Sequence, residues 1–484
     1  MRVLGKCKLY SLSCKKRDSM CSINDCTFDD NDGEIPKNKE KNLLTDTTLC
    51  RKCKCENADI LLVGQSGYCK SCFLNVTNHK FRAALGKSKI IRPGDLILVD
   101  HTGELNSTVL LHLIKAGMSE STHKKLIFKT VVLYIDDCTV GKMSKERDML
   151  RQKIARETKA SGFNGYAVSM SQVLNEEEAT LDVKPIDQEI NNNESDDRLR
   201  VMLASLADDT SRTDFLSQLR RRLLLSAARK LNCNKIFLAD SSVDVATKVL
   251  GDVCLGRGAQ LSVRANFCDA RYADITILKP MRDFMQQELI YYSEYHKINS
   301  AKSIESSGKP ATSIQALARN FTLGLESQFS GTVSTIFRTA DKISPKCDVQ
   351  QNMEDNCVLC DFVRTNPSGS QVTAMRAIEI SKLMSSKCVV ADSPSNKQNG
   401  KLNCLDLDSD NNEERCNKNA ECSCKNNRQG QVTAEDVLKH LCYSCTRIFQ
   451  NSEILCTLPS PLLSAVQRRI ALKNMRDKIS DFLL

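Results

Sequence analysis

The sequence has no tryptophan, and aromatic residues make up only 5% of it. Its apolar share is 41% over 484 residues. Aromatic side chains supply much of the buried area of a core. A chain with so few is expected to fold over part of its length and to leave polar segments outside the core. Long apolar runs are missing as well. None approaches the roughly 20 residues that span a bilayer, and Met1-Arg-Val-Leu-Gly-Lys-Cys7 lacks the apolar core of a secretory leader. Neither sign of charge dominates. Lys and Arg total 69 against 59 Asp and Glu, a net +10 that is compatible with a nucleic-acid partner without demonstrating one.

Cysteine, by contrast, is abundant, with 24 residues. Without a leader the chain is read as cytoplasmic, where thiols stay reduced, so the cysteines point to metal sites rather than disulfides. Cys138, Cys233, Cys254 and Cys268 lie in or beside apolar runs and read as small buried hydrophobes.

The chain divides by pattern. Residues 1–48 are polar, charged and aperiodic, and read as disordered. Residues 49–82 hold two cysteine pairs. From 83 to 300 short apolar runs alternate with helical patterns. Strands are expected at Asp95–Asp100, Thr130–Ile135, Phe163–Met170, Lys235–Asp240 and Asp274–Lys279. Helices are expected at Asn106–Ala116, 144–160, Asp214–Leu231, Val243–Leu255 and Arg282–His296. This alternation implies a parallel sheet with helices on both faces. Residues 171–200, with Glu176-Glu-Glu and Asn191-Asn-Asn, read as an exposed polar insertion. Residues 301–484 read as a helical, cysteine-containing region. It carries a low-complexity tract at about 390–432 and ends in a basic amphipathic helix, Ala465–Phe482.

Cys50-Arg-Lys-Cys53 and Cys69-Lys-Ser-Cys72 have the form C-x2-C-x15-C-x2-C. Two tight knuckles at that spacing present four thiolates to one tetrahedral Zn2+. Gly64 and Gly67 suit the hairpin between them, and Cys55 is a spare thiol that competes for a place. A closed four-thiolate site is structural, because it keeps no open position for chemistry. Cys357-Val-Leu-Cys360 and Cys442-Tyr-Ser-Cys445 form a second such set if the intervening residues loop out. Cys416, Cys422 and Cys424 lie in that loop and read as part of an unstructured tract.

In open parallel sheets ligands bind beyond the carboxyl ends of strands. After the first strand the chain reads Asp100-His-Thr102-Gly103-Glu104-Leu-Asn106-Ser107. Strand, turn and helix N-terminus is the right setting for a phosphate. The chemistry is poor, since there is one glycine and Glu104 puts a negative charge where phosphates would sit. Thr102, Gly103, Asn106 and Ser107 are the candidate nucleotide contacts. The plainer reading is a turn capped by Asn106 or Ser107. Asp100 and His101 are adjacent and point apart, so no acid–base pair is expected of them.

Several segments, taken in order, resemble the cytoplasmic tRNA 2-thiolation protein 2 family. They are Cys50–Cys53, Cys69-Lys-Ser-Cys72-Phe73, His79-Lys-Phe-Arg82, Leu85-Gly-Lys87, Val99–Leu111, Leu238-Ala-Asp240-Ser-Ser-Val-Asp244, Leu278-Lys-Pro-Met-Arg282, Glu288–Tyr292, Cys357–Cys360 and Leu441–Cys445. The resemblance implies an α/β fold of the PP-loop (adenine nucleotide α-hydrolase-like) type, with a zinc ribbon before it and a cysteine-containing region after it. It also implies a heterodimer with a catalytic PP-loop thiolase that sulfurates the wobble uridine of tRNAs for Lys, Glu and Gln. Sulfur would come from a thiocarboxylated ubiquitin-like carrier. The chain departs from active relatives, whose loop reads Ser-Gly-Gly-x-Asp-Ser. Glu104 replaces the second glycine and Asn106 the aspartate. The thiols that precede an Arg-Arg pair in active relatives are here Thr213 and Leu216, before Arg220-Arg221. ATP use is therefore not expected of this chain, and no catalytic residue is assigned. For tRNA, the basic residues Lys80, Arg82 and Lys87 and the cluster Arg220, Arg221 and Arg222 are the candidate contacts. Two other readings remain: an enzyme that adenylates tRNA itself, and a zinc-bearing scaffold with no RNA role.

Overall fold

A computed structural model describes residues 49–62, 67–119, 125–137, 144–174, 180–190, 193–302, 311–329, 331–343, 356–364, 432–449, 455 and 458–480. Residues 1–48, Gly64, Cys138 and the tract 390–432, except for residue 432, lie outside the described residues.

The chain runs α1 (Lys70–Ser88), β1 (Leu96–Asp100), α2 (Leu105–Met118), β2 (Lys129–Asp136), α3 (Ser144–Ser161), β3 (Asn164–Ser169), β4 (Lys184–Pro185), α4 (Asn193–Ala204) and α5 (Asp209–Lys230). It continues with β5 (Lys235–Phe237), α6 (Ser242–Cys254), α7 (Leu261–Ala265), β6 (Cys268–Asp269), β7 (Thr276–Leu278) and α8 (Gln286–His296). Helices α9 (Ile314–Gln328), α10 (Thr332–Lys342), α11 (Ala434–Lys439), α12 (Tyr443–Thr446) and α13 (Ser460–Ser480) complete the described elements. None of the described helices is long and apolar enough to cross a membrane.

The strands form one sheet in the order β4-β3-β2-β1-β5-β7-β6. The five inner strands are parallel, and the short edge strands β4 and β6 are antiparallel. Pro185, which has no N–H to give a ladder, sits in the edge strand β4 where that costs least. Side chains alternate across the sheet. Ile97 and Val99 join the core under α1, α2 and α8, while Leu98 joins the core under α5. Helices thus cover both faces, as the strand–helix alternation implies. From β1 the chain winds outward to β2 and β3, then returns past β1 to place β5 on the other side. The winding reverses between β1 and β5, and the crevice at their carboxyl ends is where such sheets take ligands.

One expectation is corrected. The described parts of 171–200 are anchored in the core and are not an insertion exposed throughout, while Glu176-Glu-Glu and Asn191-Asn192 lie outside the described residues. Met170–Leu174 makes a buried 3-10 turn, and Leu181, Ile186 and Leu199 are each no more than 5% exposed. Gln172 ties the segment by donating to the Asp182 carbonyl and accepting from its N–H. Asp196 is buried against Arg147 (2.8 Å) and Ser169 (3.0 Å). The apolar residues are spaced singly among polar ones, so no run or period marks them. Cys233 is buried as expected, but Cys254 is exposed and Cys268 half-buried.

The α2–α8 contact carries a titratable group. His112 Nδ1 lies 2.9 Å from the Tyr292 hydroxyl, and its ring stacks at 4.4 Å on His296. Burial, with His296 and Lys115 as like charges, holds the imidazole down to about 4 from its ordinary 6.5. The unfolded chain takes up this proton at a higher pH than the folded one. The stability contributed by neutral His112 is therefore whole above 6.5 and is lost as pH falls toward 4. Urea unfolding at about pH 7 and about pH 5.5 should show His112→Gln losing about 1 kcal/mol less than the parent chain between the two.

Candidate functional site

The crevice between β1 and β5 is filled by the chain's own polar groups. β1 ends at Asp100, and the turn His101–Glu104 leads into α2. Gly103 has φ +80°, and a Cβ there would lie 2.9 Å from Ile154 of α3, so the position requires glycine. Its carbonyl accepts from Lys302 N–H at 2.8 Å, which brings the segment after α8 onto the turn. Glu104 occupies the N-cap of α2. Its carboxylate stands at the end of the helix that attracts anions, with Lys302 Nζ 4.0 Å away. The Glu104 side chain makes no cap hydrogen bond and is 61% exposed, so it adds negative charge at that helix end without filling it.

Of the four candidate loop contacts, three are tied internally. Asn106 donates to Asp244 Oδ2 at 2.8 Å and accepts from Gln286 Nε2 at 3.2 Å. Ser107 Oγ donates to the Glu104 carbonyl at 2.8 Å and lies 2.9 Å from His101 Nδ1. Thr102 Oγ1 donates to Ser107 Oγ at 3.3 Å. Asp244 also closes a capping box with Ser241 at the start of α6 and accepts from Arg319 of α9 at 2.7 Å. Asp100 and His101 part as expected. Asp100 pairs with Arg220 at 2.6 Å, while His101 Nε2 faces Glu157 at 3.1 Å. The Ser107–His101–Glu157 line resembles a nucleophile–base–acid relay, but Ser107 and His101 are 0% exposed, so no substrate reaches them. Arg319, Gln286 and Glu157 were not foreseen. Each lies tens of residues from its partner, and no local pattern marks it.

The eight predicted ligand cysteines come together as two quartets. Cys50, Cys53, Cys69 and Cys72 form one, and Cys357, Cys360, Cys442 and Cys445 the other, each with its sulfurs within 4.8 Å of one another. A tetrahedron of metal–sulfur bonds of ~2.3 Å has sulfurs about 3.8 Å apart. Cys53 and Cys69 are 3.8 Å apart and Cys360 and Cys442 3.7 Å, so both donor sets fit a four-coordinate metal. Cys55 points away and donates to the Cys53 carbonyl.

The two quartets are built alike. In each, the residue after the second cysteine takes a left-handed conformation, Lys54 (φ 57°) in one and Asp361 (φ 59°) in the other. In each, that residue's N–H bonds back to the first cysteine's carbonyl. In each, the third cysteine is a helix N-cap, Cys69 for α1 and Cys442 for α12. Burial pushes the Cys50 thiol up, but N–H groups of Cys53, Cys69 and Lys52 outweigh it and bring it down to about 6. Burial likewise opposes ionisation of Cys357, and the thiols of Cys360, Cys442 and Cys445 overcome it. Cys360 is lowered as well, so each set contains a thiol more acidic than a free one, and the thiolate is the form in which cysteine ligates a metal.

Their surroundings differ. In the first quartet Cys53 and Cys72 are half-buried. In the second all four are buried within the largest core cluster, beside Phe215 and Phe449. Arginines hold it there. Arg257 points Nη2 at Cys445 Sγ (3.8 Å) and pairs with Asp214 of α5 (2.9 Å). Arg271 lies 3.6 Å over the Phe362 ring.

This explains where the expected RNA-binding arginines went. Consecutive helical residues fan out by about 100°, so Arg220, Arg221 and Arg222 face three ways. Arg220 takes Asp100, Arg221 takes Asp269, and Arg222 takes the carbonyls of Val358 and Leu359 with Asp361. They tie the second quartet and the sheet to α5 instead of forming a surface cluster. Lys80 is likewise paired with Glu288 at 2.7 Å. Arg82, whose Nε donates to the Asn78 carbonyl at 3.3 Å, and Lys87 line an open groove beside α1.

The family model described as "Cytoplasmic tRNA 2-thiolation protein 2" matches residues 313–447. Relatives of that name match over most of the chain. The Anopheles gambiae protein is 30% identical over 444 residues, covering 89% of this chain and 99% of its own. The Drosophila willistoni protein is 32% identical over 350 residues, covering 70% and 85%. The Xenopus laevis protein 2-A is 27% identical, covering 90% and 94%. Among solved structures, the U34-tRNA thiolase NcsA from Methanococcus maripaludis with its [4Fe-4S] cluster aligns at TM-score 0.46 and 16% identity, covering 69% of this chain and 99% of that one.

Replacing Arg257 with alanine leaves Asp214 buried without its cation, at a cost of about 3–5 kcal/mol. Urea unfolding should register that loss. Arg220→Ala should lose markedly less, because the Arg220 side chain is 29% exposed where that of Arg257 is 1% exposed, so water already screens its pair.

Proposed function

The chain belongs to the cytoplasmic tRNA 2-thiolation protein 2 family, and from that membership we propose that it is the non-catalytic subunit of a heterodimeric tRNA thiolase. Its place is the cytoplasm and its role lies in tRNA 2-thiolation. On our reading the partner is a catalytic PP-loop thiolase. The pair replaces the wobble uridine 2-oxygen by sulfur (mcm5s2U34) in tRNAs for Lys, Glu and Gln, with sulfur from a thiocarboxylated ubiquitin-like carrier.

One observation carries the reading of this chain as non-catalytic. Glu104 stands at the anion-binding end of α2, and Asn106, Asp244 and Arg319 satisfy one another across the crevice. A nucleotide phosphate brought there would meet a carboxylate and would have to break a three-residue network. Thr213 and Leu216 add to this, because they offer no thiol for sulfur transfer or a cluster. Arg82 and Lys87 are retained as RNA contacts. Lys80 and the three arginines of α5 keep the internal ties described above.

We assign structural Zn2+ to both quartets. Four thiolates close the coordination sphere, so the ion supplies folding free energy and no Lewis-acid position. The cysteines hold it, and Arg257 and Gln260 turn N–H groups toward Cys445 and Cys360 of the second set.

The test is 2-thiouridine content, measured by mass spectrometry of tRNA from cells lacking the protein and rescued with the normal chain or with Glu104→Ala/Asn106→Ala. Loss of the modification, restored to within about twofold by both chains, is expected of a subunit whose loop does no chemistry. Rescue by the normal chain alone, with the variant folded and paired, would make the loop catalytic. An unchanged level in the deleted cells would remove the thiolation role.

A further inference from the structure

At the amino-terminal edge of the sheet, opposite the filled crevice, three chain segments enclose an open groove of about 680 Å³. Helix α1 supplies Arg82 and Lys87, the turn before β1 supplies Arg92, and the approach to β2 supplies Lys125. Leu85, Ile127 and Phe128 form an apolar floor between these cations, and among the described residues no carboxylate lines the groove. Lys87, Arg92 and Lys125 are exposed. Asp95, the acidic residue nearest in sequence to Arg92, is already taken. It accepts from the Arg92 backbone N–H (2.6 Å) and pairs with Lys235 (2.9 Å), so it does not neutralise the guanidinium. Ile127 is 63% exposed, a β-branched apolar side chain left open at the centre of a cationic ring.

Two simpler explanations fit less well. A solvated cationic face needs no concave apolar floor, and most of the chain's other clustered arginines are consumed by internal partners. A docking groove for an apolar helix needs no cations placed around it from three separate segments. A strand of RNA matches both halves. Its phosphates meet the rim, and an unstacked base covers apolar surface that a duplex, with its bases inside, cannot reach.

We propose that this groove binds single-stranded or looped RNA, with the phosphodiester backbone on Arg82, Lys87, Arg92 and Lys125 and an unpaired base over Leu85, Ile127 and Phe128. The proposal rests on the thiolation reading and adds a location to it. β1 separates the groove from the degenerate loop by five residues, roughly 15–20 Å. RNA held here lies at the far edge of the sheet from the loop, as befits a subunit that holds tRNA without acting on it.

The experiment is a salt titration of binding to the full-length chain by fluorescence anisotropy. The probes are an anticodon stem–loop RNA, a fully paired RNA of equal length, and a polyglutamate peptide. Lys87→Glu/Arg92→Glu should weaken stem–loop binding by roughly 20-fold or more and reduce the slope of log K against log salt by about two. Lys473→Glu/Arg476→Glu, on the exposed end of α13, should change binding by less than about threefold. Ile127→Ser removes only exposed apolar surface, so it should fold normally, weaken stem–loop binding about fivefold and leave the salt slope unchanged. Equal affinity of the groove double variant and the parent chain overturns the proposal. So does absence of stem–loop binding by the parent chain, preference for the paired RNA, or preference for the acidic peptide. The readout is binding, so any of these removes the groove while the thiolation role still stands or falls on 2-thiouridine in cells.

Discussion

Asp244 lies where β1 and β5 part, and its carboxylate accepts hydrogen bonds from Asn106, from Ser241 and from Arg319. Those donors come from α2, from the strand-to-helix turn before α6, and from α9. The carboxylate therefore fixes three elements around the one crevice that this sheet topology opens. Its needs are met from within, and Glu104 supplies negative charge at the neighbouring helix end. The fold keeps the architecture of a nucleotide site and closes it with protein groups. The proposed role as a holding subunit rests on that closure, since binding energy at the crevice is already committed to stability and cannot be spent on a substrate.

The two cysteine quartets show how one local construction serves two purposes. Each uses a knuckle ending in a left-handed residue and a helix opened by a cysteine. The first sits at the start of α1, half open to solvent. It fixes the direction of the helix that carries the basic groove. The second is enclosed by the main core and by Arg257, Arg271 and Arg222. A divalent ion with four thiolates carries two negative charges. Such a centre would add negative charge beside arginines already paired with Asp214, Asp252, Asp269 and Asp361. The quartet, the arginines and α5 form one unit, and the carboxyl-terminal region is bound into the α/β core through it.

Features that depend on near neighbours were legible in the sequence. Cys50–Cys72 spacing, the apolar run into β1, and the missing glycine at Glu104 each state their structure within a few residues. The second quartet was legible too, although Cys360 and Cys442 are far apart, because each half carries its own knuckle spacing. Features that depend on distant partners were not. Arg220, Arg221 and Arg222 look like a surface cluster until Asp100, Asp269 and the Val358–Leu359 carbonyls are placed around α5. Residues 171–200 look exposed because their core contacts, Leu181, Ile186 and Leu199, arrive one at a time. Arg319, which closes the crevice, has no sequence signal linking it to Asp244. The groove was half visible. Arg82 and Lys87 were read from sequence, but Lys125 joins them only through the pairing of β1 with β2.

The most direct test of the closed crevice is equilibrium dialysis of the purified full-length chain against labelled ATP with magnesium. The account predicts no saturable retention of ATP up to millimolar concentrations, because Glu104 puts negative charge at the start of α2 and the Asn106–Asp244–Arg319 network commits the polar groups of the crevice. Saturable binding in the micromolar range, abolished by Gly103→Val, would show that the network opens for a nucleotide and would contradict it.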